Sequence, residues 1–414
     1  MVPLLTSRRF WSGALHIYIP SLLMMVGQGM LIPALPALAE TYAVAPALAV
    51  QVVTIQQVGK FIAFIPTGAI VDRWGAKPPM MIGAFVSAVC LLGAAATENF
   101  VLLLGTQIVW GFGQNMWMFG REIAAAEMVR AEQRGRALST LMGISGGGMA
   151  LGPAIGGFLV EPVGVRGLFL IFAGISAVIF VLAVIHKSVR IERPKSNRSM
   201  FDFTAFKQIH PYFRLTYFIL FISTFGVLTR TQVTHTMLPL YVENELAYSA
   251  VDTGLLFTVH AIATFAIILP AGFVSDKLGR KWVAAPSALV AGITFIVMPF
   301  ADNLFTLGAV LVFMGFASGM AMGSMTTYTF DIVPVHLRGQ LQALRRSFGE
   351  MGAITGPLIA GAVASVSSPS TSFWVFAPLL TCAGLALVFF AREGLPSKRA
   401  PGAPPPAVES VPSR

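Results

Sequence analysis

Long apolar segments separated by short polar connections run through almost the whole chain. Residues 100–120, 168–185 and 373–390 contain no acidic or basic side chain, and a helix needs about 20 predominantly apolar residues to cross a bilayer. Within hydrocarbon the backbone must satisfy its own hydrogen bonds, which allows only helices or closed barrels. Because the segments are continuously apolar rather than alternating, the pattern predicts membrane-spanning helices and an all-α membrane protein.

The pattern predicts twelve spans in two sets of six. The first set covers 12–38, 47–70, 78–97, 100–128, 138–160 and 166–186, and the second covers 213–240, 253–274, 282–300, 304–330, 341–365 and 372–391. Arg8 and Arg9 imitate the start of a secretory signal, but the apolar region of such a signal has roughly 7–15 residues. Residues 11–39 are longer, so we expect an uncleaved first span.

These spans divide the chain into four parts. We expect an N-terminal six-helix bundle at 1–186, a cytoplasmic linker at 187–212, a C-terminal six-helix bundle at 213–391 and a disordered cytoplasmic tail at 392–414. The linker is polar and basic. The tail is rich in Pro, Ala and Ser and has too little apolar material to fold.

The charged residues indicate the orientation in the membrane. Only 11% of the residues are charged, with 28 Lys and Arg against 18 Asp and Glu. Most of the basic residues lie before span 1, in the turns after even-numbered spans, in the linker and in the tail. The positive-inside rule therefore predicts that both termini are cytoplasmic, in a multi-pass protein of the inner membrane. The net charge of +10 is a topology signal, so no nucleic-acid partner is expected.

The two halves of the chain share a repeat with a constant offset of 204 residues. The recurring residues lie at turns and helix ends, and include the pairs Pro66 and Pro270, Asp72 and Asp276, Gly75 and Gly279, Arg134 and Arg338, and Gly152-Pro153 and Gly356-Pro357. We infer a duplication that produced two six-helix halves of the same orientation. This arrangement is typical of transporters whose halves are related by an axis along the membrane normal.

Two sets of motifs resemble a known family. Residues 68–77 read Gly-Ala-Ile-Val-Asp-Arg-Trp-Gly-Ala-Lys, and residues 272–281 repeat the pattern. Both are similar to the loop motif between helices 2 and 3 of the major facilitator superfamily. A second motif, in span 5, resembles one associated with the drug:proton antiporters of that family, and consists of Gly148, Gly152, Pro153, Gly156 and Gly157. The resemblance covers roughly residues 12–391 and implies the twelve-helix major facilitator fold.

The resemblance implies that the duplicated turns hold the halves in one conformation, through a set of residues that we call the cytoplasmic latch. Its members are Gly68, Asp72, Arg73, Gly75, Lys77, Glu127, Arg134, Asp276, Lys277, Gly279, Asp331 and Arg338. We expect Arg73 and Lys77 to pair with acids such as Glu127, and Asp276 and Lys277 to repeat the contacts of the first half. The alternative interpretation is an ordinary tight turn with cytoplasmic positive charge.

The glycines of the span 5 motif predict close helix packing. Gly148, Gly152 and Gly156 lie four residues apart and share one helix face, where small residues let a neighbouring helix approach. Pro153 is expected to bend the helix. A nucleotide-binding loop is a poor alternative, because no strand precedes these glycines.

Polar residues found in only one half are the candidates for contact with substrate or protons. A charge near the bilayer centre costs about 2.5–3.5 kcal/mol on insertion scales, so such residues usually have a function. The candidate pathway consists of Lys60, Arg121, Glu122, Arg230, Glu350, Gln56, Gln107 and Asn115. Glu122 and Glu350 are the candidate proton carriers, and we expect Arg121 to pair with one of them. Gln107 stands where the family has an arginine linked to proton coupling, which puts coupling at that position in doubt.

Each charged candidate has a structural alternative, either a salt bridge or a side chain that snorkels to the interface. Snorkelling is the expectation for Arg345 and Arg346. The span histidines, His16, His235 and His260, are expected to be hydrogen-bonded packing residues rather than proton relays.

These observations predict a secondary active transporter. The leading interpretation is a proton-coupled exporter of small organic molecules that works by rocker-switch alternating access. The alternative is an importer of an organic anion or zwitterion, because Lys60, Arg121 and Arg230 supply positive charge. No nucleophile motif, metal-ligand spacing or phosphate loop supports an enzyme, so no catalytic residue, cofactor or metal is expected. The expected partners are a small-molecule substrate, protons and the lipid bilayer, with the chain acting as a monomer.

Overall fold

The computed structural model describes residues 14–128, 134–185, 204–334, 337–395 and 398. The predictions for residues 1–13, for linker positions 187–203, for the tail beyond 398 and for the side chain of Arg134 lie outside the described residues. The described chain is helical, and no β-strand occurs within these ranges.

The helices follow one another with short connections. The first half contains α1 (Ile19–Met30), α2 (Leu35–Thr41), α3 (Pro46–Trp74), α4 (Lys77–Ala96), α5 (Phe100–Glu127) and α6 (Arg134–Ile185). The remainder contains α7 (Thr204–Lys207), α8 (Pro211–Leu240), α9 (Ala250–Lys277), α10 (Lys281–Val297), α11 (Leu304–Ala321), α12 (Ser324–Ile332), α13 (Arg338–Val366) and α14 (Pro369–Phe389). Short π-helical turns precede α1 and follow α8, at Ala14–Tyr18 and Tyr241–Glu245.

The helices account for the predicted membrane spans. Within the described ranges, nine helical segments are long and apolar enough to cross a membrane, and the α1–α2 pair, bent by 58°, makes ten. The long helix α6 contains predicted spans 5 and 6, which separate at Gly164, where the backbone has a φ of 68°. The remaining predicted span, the fourth, is α5, whose 28 residues have the length of a span but include several polar side chains. The prediction of an all-α membrane protein is confirmed.

Equivalent glycines follow α3 in the first half and α9 in the second half. Gly75 follows α3 with a φ of 83°, and Gly279 follows α9 with a φ of 127°. Residues with a Cβ atom are strained in this left-handed region, whereas glycine adopts it readily. Each following helix begins two residues later, at Lys77 or Lys281. The duplicated sequence motif therefore forms the same kind of turn twice.

The described helices form two compact units. Unit 1 contains residues 14–185 and 239–258, and unit 2 contains residues 204–238 and 259–395. Within unit 1, α1 packs on α6, α4 packs on α5 and α6, and α3 packs on α5. Within unit 2, α10 packs on α11 and α14, and α13 packs on α14.

Glycine faces set the closest approaches in unit 1. A Cβ atom on Gly148 would lie 2.5 Å from the carbonyl oxygen of Leu22, and one on Gly152 would lie 2.6 Å from the Cα of Gly29. A Cβ on Gly156 would overlap the carbonyl oxygen of Met30. The three glycines of α6 therefore form one face against the backbone of α1. Small residues allow this kind of contact between helices in a bilayer.

The neighbouring face of α6 contacts the start of α9 within the same unit. A Cβ on Gly157 would overlap the carbonyl oxygen of Ala250, and one on Gly254 would lie 2.5 Å from the carbonyl oxygen of Pro153. The span 5 motif therefore packs two helices at once. Its contacts place backbone against backbone on both sides.

Aromatic side chains organise the packing of unit 2. The hydroxyl of Tyr217 in α8 donates to the carbonyl oxygen of Leu341 in α13, at 2.8 Å. The hydroxyl of Tyr328 in α12 donates to the carbonyl oxygen of Arg392, at 2.6 Å. Both tyrosines are buried within one apolar cluster. The helix ends and the segment after α14 are thereby tied to a common core.

Large apolar side chains cover much of the outer surface. Leu269 and Phe305 are 74% and 85% exposed, and further examples occur along most of the long helices. Soluble proteins seldom expose contiguous apolar surface on this scale. Contact with lipid hydrocarbon explains the exposed side chains.

We expect the α1–α6 contact to be sensitive to one added methyl group. Gly148→Ala should lower the midpoint of thermal unfolding in detergent by a few degrees, because overpacking costs about 1–3 kcal/mol. The matched control is Gly147→Ala, where a Cβ meets nothing within 4 Å. That variant should be unchanged or slightly more stable, because Ala has the better helix propensity. Equal destabilisation by the two variants would contradict the predicted role of the glycine face.

Candidate functional site

Three glutamines form a hydrogen-bonded chain across unit 1, which we call the amide chain. Nε2 of Gln56 in α3 donates to Oε1 of Gln114 in α5 at 2.8 Å. Nε2 of Gln114 in turn donates to Oε1 of Gln28 in α1. Each amide has both a donor and an acceptor, so it continues the chain from one helix to the next. Gln56 therefore belongs to a network that links α1, α3 and α5.

Two other predicted amides lie near this network on α5. Gln107 is buried, and its Nε2 has no hydrogen-bond partner among the described residues. Nδ2 of Asn115 makes a long contact of 3.5 Å with the hydroxyl of Thr67. A buried amide nitrogen without an acceptor is unfavourable. The amide nitrogen of Gln107 is thus an unsatisfied buried donor within the described residues.

Close packing of α3 on α5 fixes the positions of these side chains. A Cβ on Gly111 would overlap the carbonyl oxygen of Gln56 and lie 3.1 Å from the backbone nitrogen of Lys60. A Cβ on Gly59 would overlap the carbonyl oxygen of Ile108. The predicted residues Gln56, Lys60 and Gln107 therefore lie beside one glycine-mediated contact. Lys60 itself is half-buried.

Arg121 is a buried cation that is held by neutral groups. Its side chain is 1% exposed, and Nη1 donates to the hydroxyl of Ser145 at 2.7 Å. The guanidinium lies over the ring of Trp117, with its central carbon 4.8 Å from the ring centroid. Within the described part of unit 1 no carboxylate lies at ion-pair distance from Arg121, although the adjacent Glu122 attracts it electrostatically. Cation–π attraction and a hydroxyl acceptor take the place of a carboxylate.

Ser145 is itself oriented by its own helix. Its hydroxyl donates to the carbonyl oxygen of Leu141 at 2.7 Å, which leaves its lone pairs to accept from Arg121. Arg121 on α5 is thereby joined to α6. Glu122, the next residue, is half-buried.

Arg230 is the corresponding buried cation of α8. It is 4% exposed, and its Nε and Nη1 have no hydrogen-bond partner among the described residues. On the neighbouring helix α9, His260 interacts electrostatically with Arg230 and with His235. Nε2 of His260 lies 3.1 Å from the hydroxyl of Ser318 in α11. Arg230, His235 and His260 thus form a group of basic side chains within unit 2.

The two arginines at the start of α13 have different environments. Arg346 is exposed and forms an ion pair with Glu350, with Nε and Oε1 3.7 Å apart. Arg345 is 3% exposed, so the expectation that it snorkels to the membrane rim is wrong. It donates to the hydroxyl of Thr224 and, at 3.0 Å, to Oε1 of Gln342. The rotation of α13 turns Arg345 inward, which its spacing from Arg338 did not reveal.

A charge cluster joins the end of α9 to α12 in unit 2. We call it the Arg280 cluster, and it consists of Asp276, Arg280, Asp331 and Glu393. Nη1 of Arg280 lies 2.6 Å from Asp276, and Nε lies 2.8 Å from Asp331. The carboxylate of Glu393 accepts from the backbone nitrogens of Arg280 and Lys281, at 2.8 and 3.2 Å.

The Arg280 cluster contains a contact that the sequence pattern did not predict. Asp276 forms its ion pair with Arg280, and the side chain of Lys277 is exposed. The repeat contained the signal, since the offset of 204 aligns Arg280 with Ala76 and so marks it as a charge present in one half only. Glu393, which was assigned to a disordered tail, instead caps the start of α10.

The latch residues of the first half make different contacts. Nζ of Lys77 donates to the carbonyl oxygen of Val184 at 2.8 Å, so its expected pairing with Glu127 is absent. The guanidinium of Arg73 lies over the ring of Trp74, 5.5 Å from the centroid, and Asp72 is exposed. In unit 2, Nε of Arg338 donates to the carbonyl oxygen of Phe330 at 3.0 Å.

The arrangement resembles no metal centre. Within the described residues, no group of three or more His, Cys, Asp or Glu side chains is placed to hold a metal ion. The buried polar groups are amides, arginines and a histidine, all of which bind through hydrogen bonds and charge. Such groups suit reversible recognition of a polar organic molecule.

Several proteins of known type are similar to this chain. The multidrug resistance protein MdtG of Serratia proteamaculans is 25% identical over 305 residues, which is 72% of each chain. The quinolone resistance protein NorA of Staphylococcus aureus is 25% identical over 390 residues, covering 91% of this chain and 96% of NorA. A homologue of the multidrug efflux pump PmrA from Lactococcus lactis is 24% identical and covers 73% of this chain and 74% of that protein.

Solved structures share the fold at lower identity. The D-xylose–proton symporter has a TM-score of 0.72 and 17% identity, with 93% of this chain and 98% of the symporter covered. A POT family transporter in complex with 5-aminolevulinic acid has a TM-score of 0.75 and 10% identity, with 92% and 96% covered. The family model of the Major Facilitator Superfamily matches residues 17–230 and 220–412. The chain therefore belongs to the Major Facilitator Superfamily and is a multi-pass membrane transporter, not an enzyme.

Proposed function

We propose that this chain is a proton-coupled exporter of small organic molecules. The observation that carries the proposal is its similarity to MdtG, NorA and the PmrA homologue, whose names describe drug resistance or efflux. The α6 glycine face, which forms backbone contacts with both α1 and α9, adds support because its motif resembles that of drug:proton antiporters. The proposed location is the bacterial inner membrane, with both termini cytoplasmic and the protein acting as a monomer.

The proposed mechanism is rocker-switch alternating access by two six-helix bundles, at 1–186 and 213–391, joined by the linker at 187–212. The duplicated turns would stabilise one of the alternating conformations, as the latch hypothesis requires. The Arg280 cluster supports this role in unit 2, because it links α9, α12 and the residues after α14 through charged groups.

The proposed substrate and proton pathway uses the buried polar residues of each unit. In unit 1 these are the amide chain, Gln107, Asn115, Lys60, Arg121 and Glu122. In unit 2 they are Arg230 and Glu350. Glu122 and Glu350 are the proposed proton carriers because each is a half-buried carboxylate in a predicted span.

A second candidate function is the import of an organic anion or zwitterion. It is favoured by three buried arginines, Arg121, Arg230 and Arg345, none of which has an ion pair in the described ranges. Uncompensated buried cations attract anions, because a paired ion costs less to bury than a single one.

The direction of transport is testable in membrane vesicles. Inside-out vesicles with an acidic interior should accumulate the fluorescent quinolone norfloxacin, because outward movement of protons would drive the substrate inward. Accumulation should be at least several-fold above that of vesicles lacking the protein and should collapse with a protonophore. If norfloxacin shows no such uptake while right-side-out vesicles with an acidic exterior accumulate radiolabelled succinate, the importer is the correct function.

The proton carriers are testable by neutralising each carboxylate. Glu122→Gln or Glu350→Gln should abolish norfloxacin accumulation driven by a pH gradient, because an amide does not exchange a proton in this pH range. Glu98→Gln is the matched control, since Glu98 is exposed and pairs only with the exposed Arg166. A pathway variant that keeps the wild-type rate under the gradient would remove that carboxylate from the mechanism.

The Arg280 cluster is testable by a pair of adjacent neutral variants. Arg280→Gln should lower the stability by about 1–3 kcal/mol, because it removes hydrogen bonds between charged groups, and should slow norfloxacin exchange. Lys281→Gln removes the same charge, but only the backbone nitrogen of Lys281 contacts the cluster. Thermal unfolding and vesicle uptake measured for both variants provide the comparison. Similar changes in thermal unfolding and uptake for the two variants would show that the loss of charge, rather than the loss of the Arg280 contacts, causes the effect.

A further inference from the structure

Arg230 is buried in unit 2 without a counter-ion. The residue is 4% exposed, and two of its three nitrogens, Nε and Nη1, have no acceptor within the described ranges. A buried charge that lacks both an ion pair and hydrogen bonds is strongly unfavourable. The described side chains supply no anionic partner for the guanidinium.

The described side chain that interacts with Arg230 is a histidine rather than a carboxylate. His260 on α9 interacts electrostatically with Arg230 and with His235. Neither Arg230 nor His260 forms an ion pair with a carboxylate of the described residues. The neighbourhood is thus basic, which distinguishes it from the Arg280 cluster, where carboxylates surround the arginine.

Contacts between α8, α9 and α11 hold this neighbourhood together. Thr234 lies one helical turn after Arg230 and contacts Sδ of Met314 in α11 through its hydroxyl, at 3.5 Å. Ser318 lies one turn after Met314 and contacts His260 of α9. Residues four apart share a helix face, so Arg230 lies on the same face of α8 as Thr234. The stretch of α11 from Met314 to Ser318 therefore contacts both this face of α8 and His260.

The hydrogen bonds at Ser318 fix the orientation and the tautomer of His260. The Ser318 hydroxyl has one proton, which it donates to the carbonyl oxygen of Met314 at 3.0 Å. Its oxygen must therefore accept from Nε2 of His260, at 3.1 Å. Nε2 of His260 is therefore a protonated ring nitrogen in this arrangement. Ser318 is a positioning residue for His260 in this arrangement.

We propose that Arg230, with His260 beside it, binds a carboxylate group of the transported molecule. This inference rests on the proposed function of the chain as a transporter of small organic molecules, and it adds a chemical class to the substrate. The planar guanidinium matches a carboxylate in shape and donates several hydrogen bonds to it. A single arginine balances a single negative charge, which favours a carboxylate over a phosphate dianion.

A matched pair of small ligands tests the proposal directly. The purified full-length chain in lipid nanodiscs is titrated with benzoate and with benzamide, which have the same size and differ in charge. Benzoate should raise the midpoint of thermal unfolding in a saturable manner, whereas benzamide and equal concentrations of chloride should not. Absence of a saturable benzoate effect, or an equal effect of benzamide, would overturn the proposal.

Variants locate the binding site. Arg230→Gln should weaken benzoate binding roughly 10- to 100-fold, because charge-assisted hydrogen bonds are lost. His260→Gln retains the arginine and should weaken binding by roughly 2- to 10-fold, which provides a second test if Arg230→Gln does not fold. Arg166→Gln, at an exposed arginine of unit 1, should bind benzoate like the wild type.

Arg345 supplies the competing explanation, since it is the other buried arginine of unit 2. If Arg345→Gln abolishes the benzoate effect while Arg230→Gln and His260→Gln preserve it, the proposed site is wrong. The vesicle assay separates this outcome from failure of the proposed function. Benzoate binding without proton-driven uptake of norfloxacin would refute the exporter alone, and uptake without discrimination between benzoate and benzamide would refute the carboxylate site alone.

Discussion

The close approach of helix backbones at glycine faces is the constraint on which the rest of this structure depends. In a bilayer, helices gain little hydrophobic stabilisation from one another, so their association relies on van der Waals contact and on hydrogen bonds between helices. In unit 1 that contact comes from Gly148, Gly152 and Gly156 against α1, and from Gly59 and Gly111 between α3 and α5. The second contact lies against the backbone of Gln56 and Lys60. The positions of these polar residues therefore depend on the glycines at the helix contacts.

The backbone of the duplicated motif is the same in the two halves, whereas the contacts of its charged side chains differ. The backbone of the turn at Gly75 recurs at Gly279, since a left-handed residue is required at both positions. The side chains around the two turns have diverged, because Arg280 gathers acidic partners in unit 2 whereas the first half has Ala76 at that position. Duplication thus preserves the geometry of a turn while allowing each copy to acquire its own contacts.

The features that follow from apolar length and from glycine are predictable from the sequence. The all-helical architecture, the breaks near Gly75, Gly164 and Gly279, and the family resemblance could all be read from the chain. Contacts between side chains could not, because most helices are apolar on every side and their rotation about the axis leaves no periodic signal. Arg345 shows the consequence, since it was expected at the rim and lies buried against Thr224. The amide chain was missed for the same reason, as it depends on which faces of three helices meet.

A carboxylate site at Arg230 also restricts how protons can be coupled to export. Arginine remains charged throughout the physiological pH range, so Arg230 contributes affinity and cannot itself exchange a proton. Exchange requires a group for which the proton and the substrate compete, and binding linkage makes such competition reciprocal. A carboxylate such as Glu350 meets this requirement when the substrate carries a positive group. The positive group and a proton then compete for the same ionised carboxylate. The substrates best suited to exchange are therefore zwitterions, with the negative end at Arg230 and the positive end at an acidic residue. An anion without a positive group would bind at Arg230 and leave the acidic residue free to keep its proton.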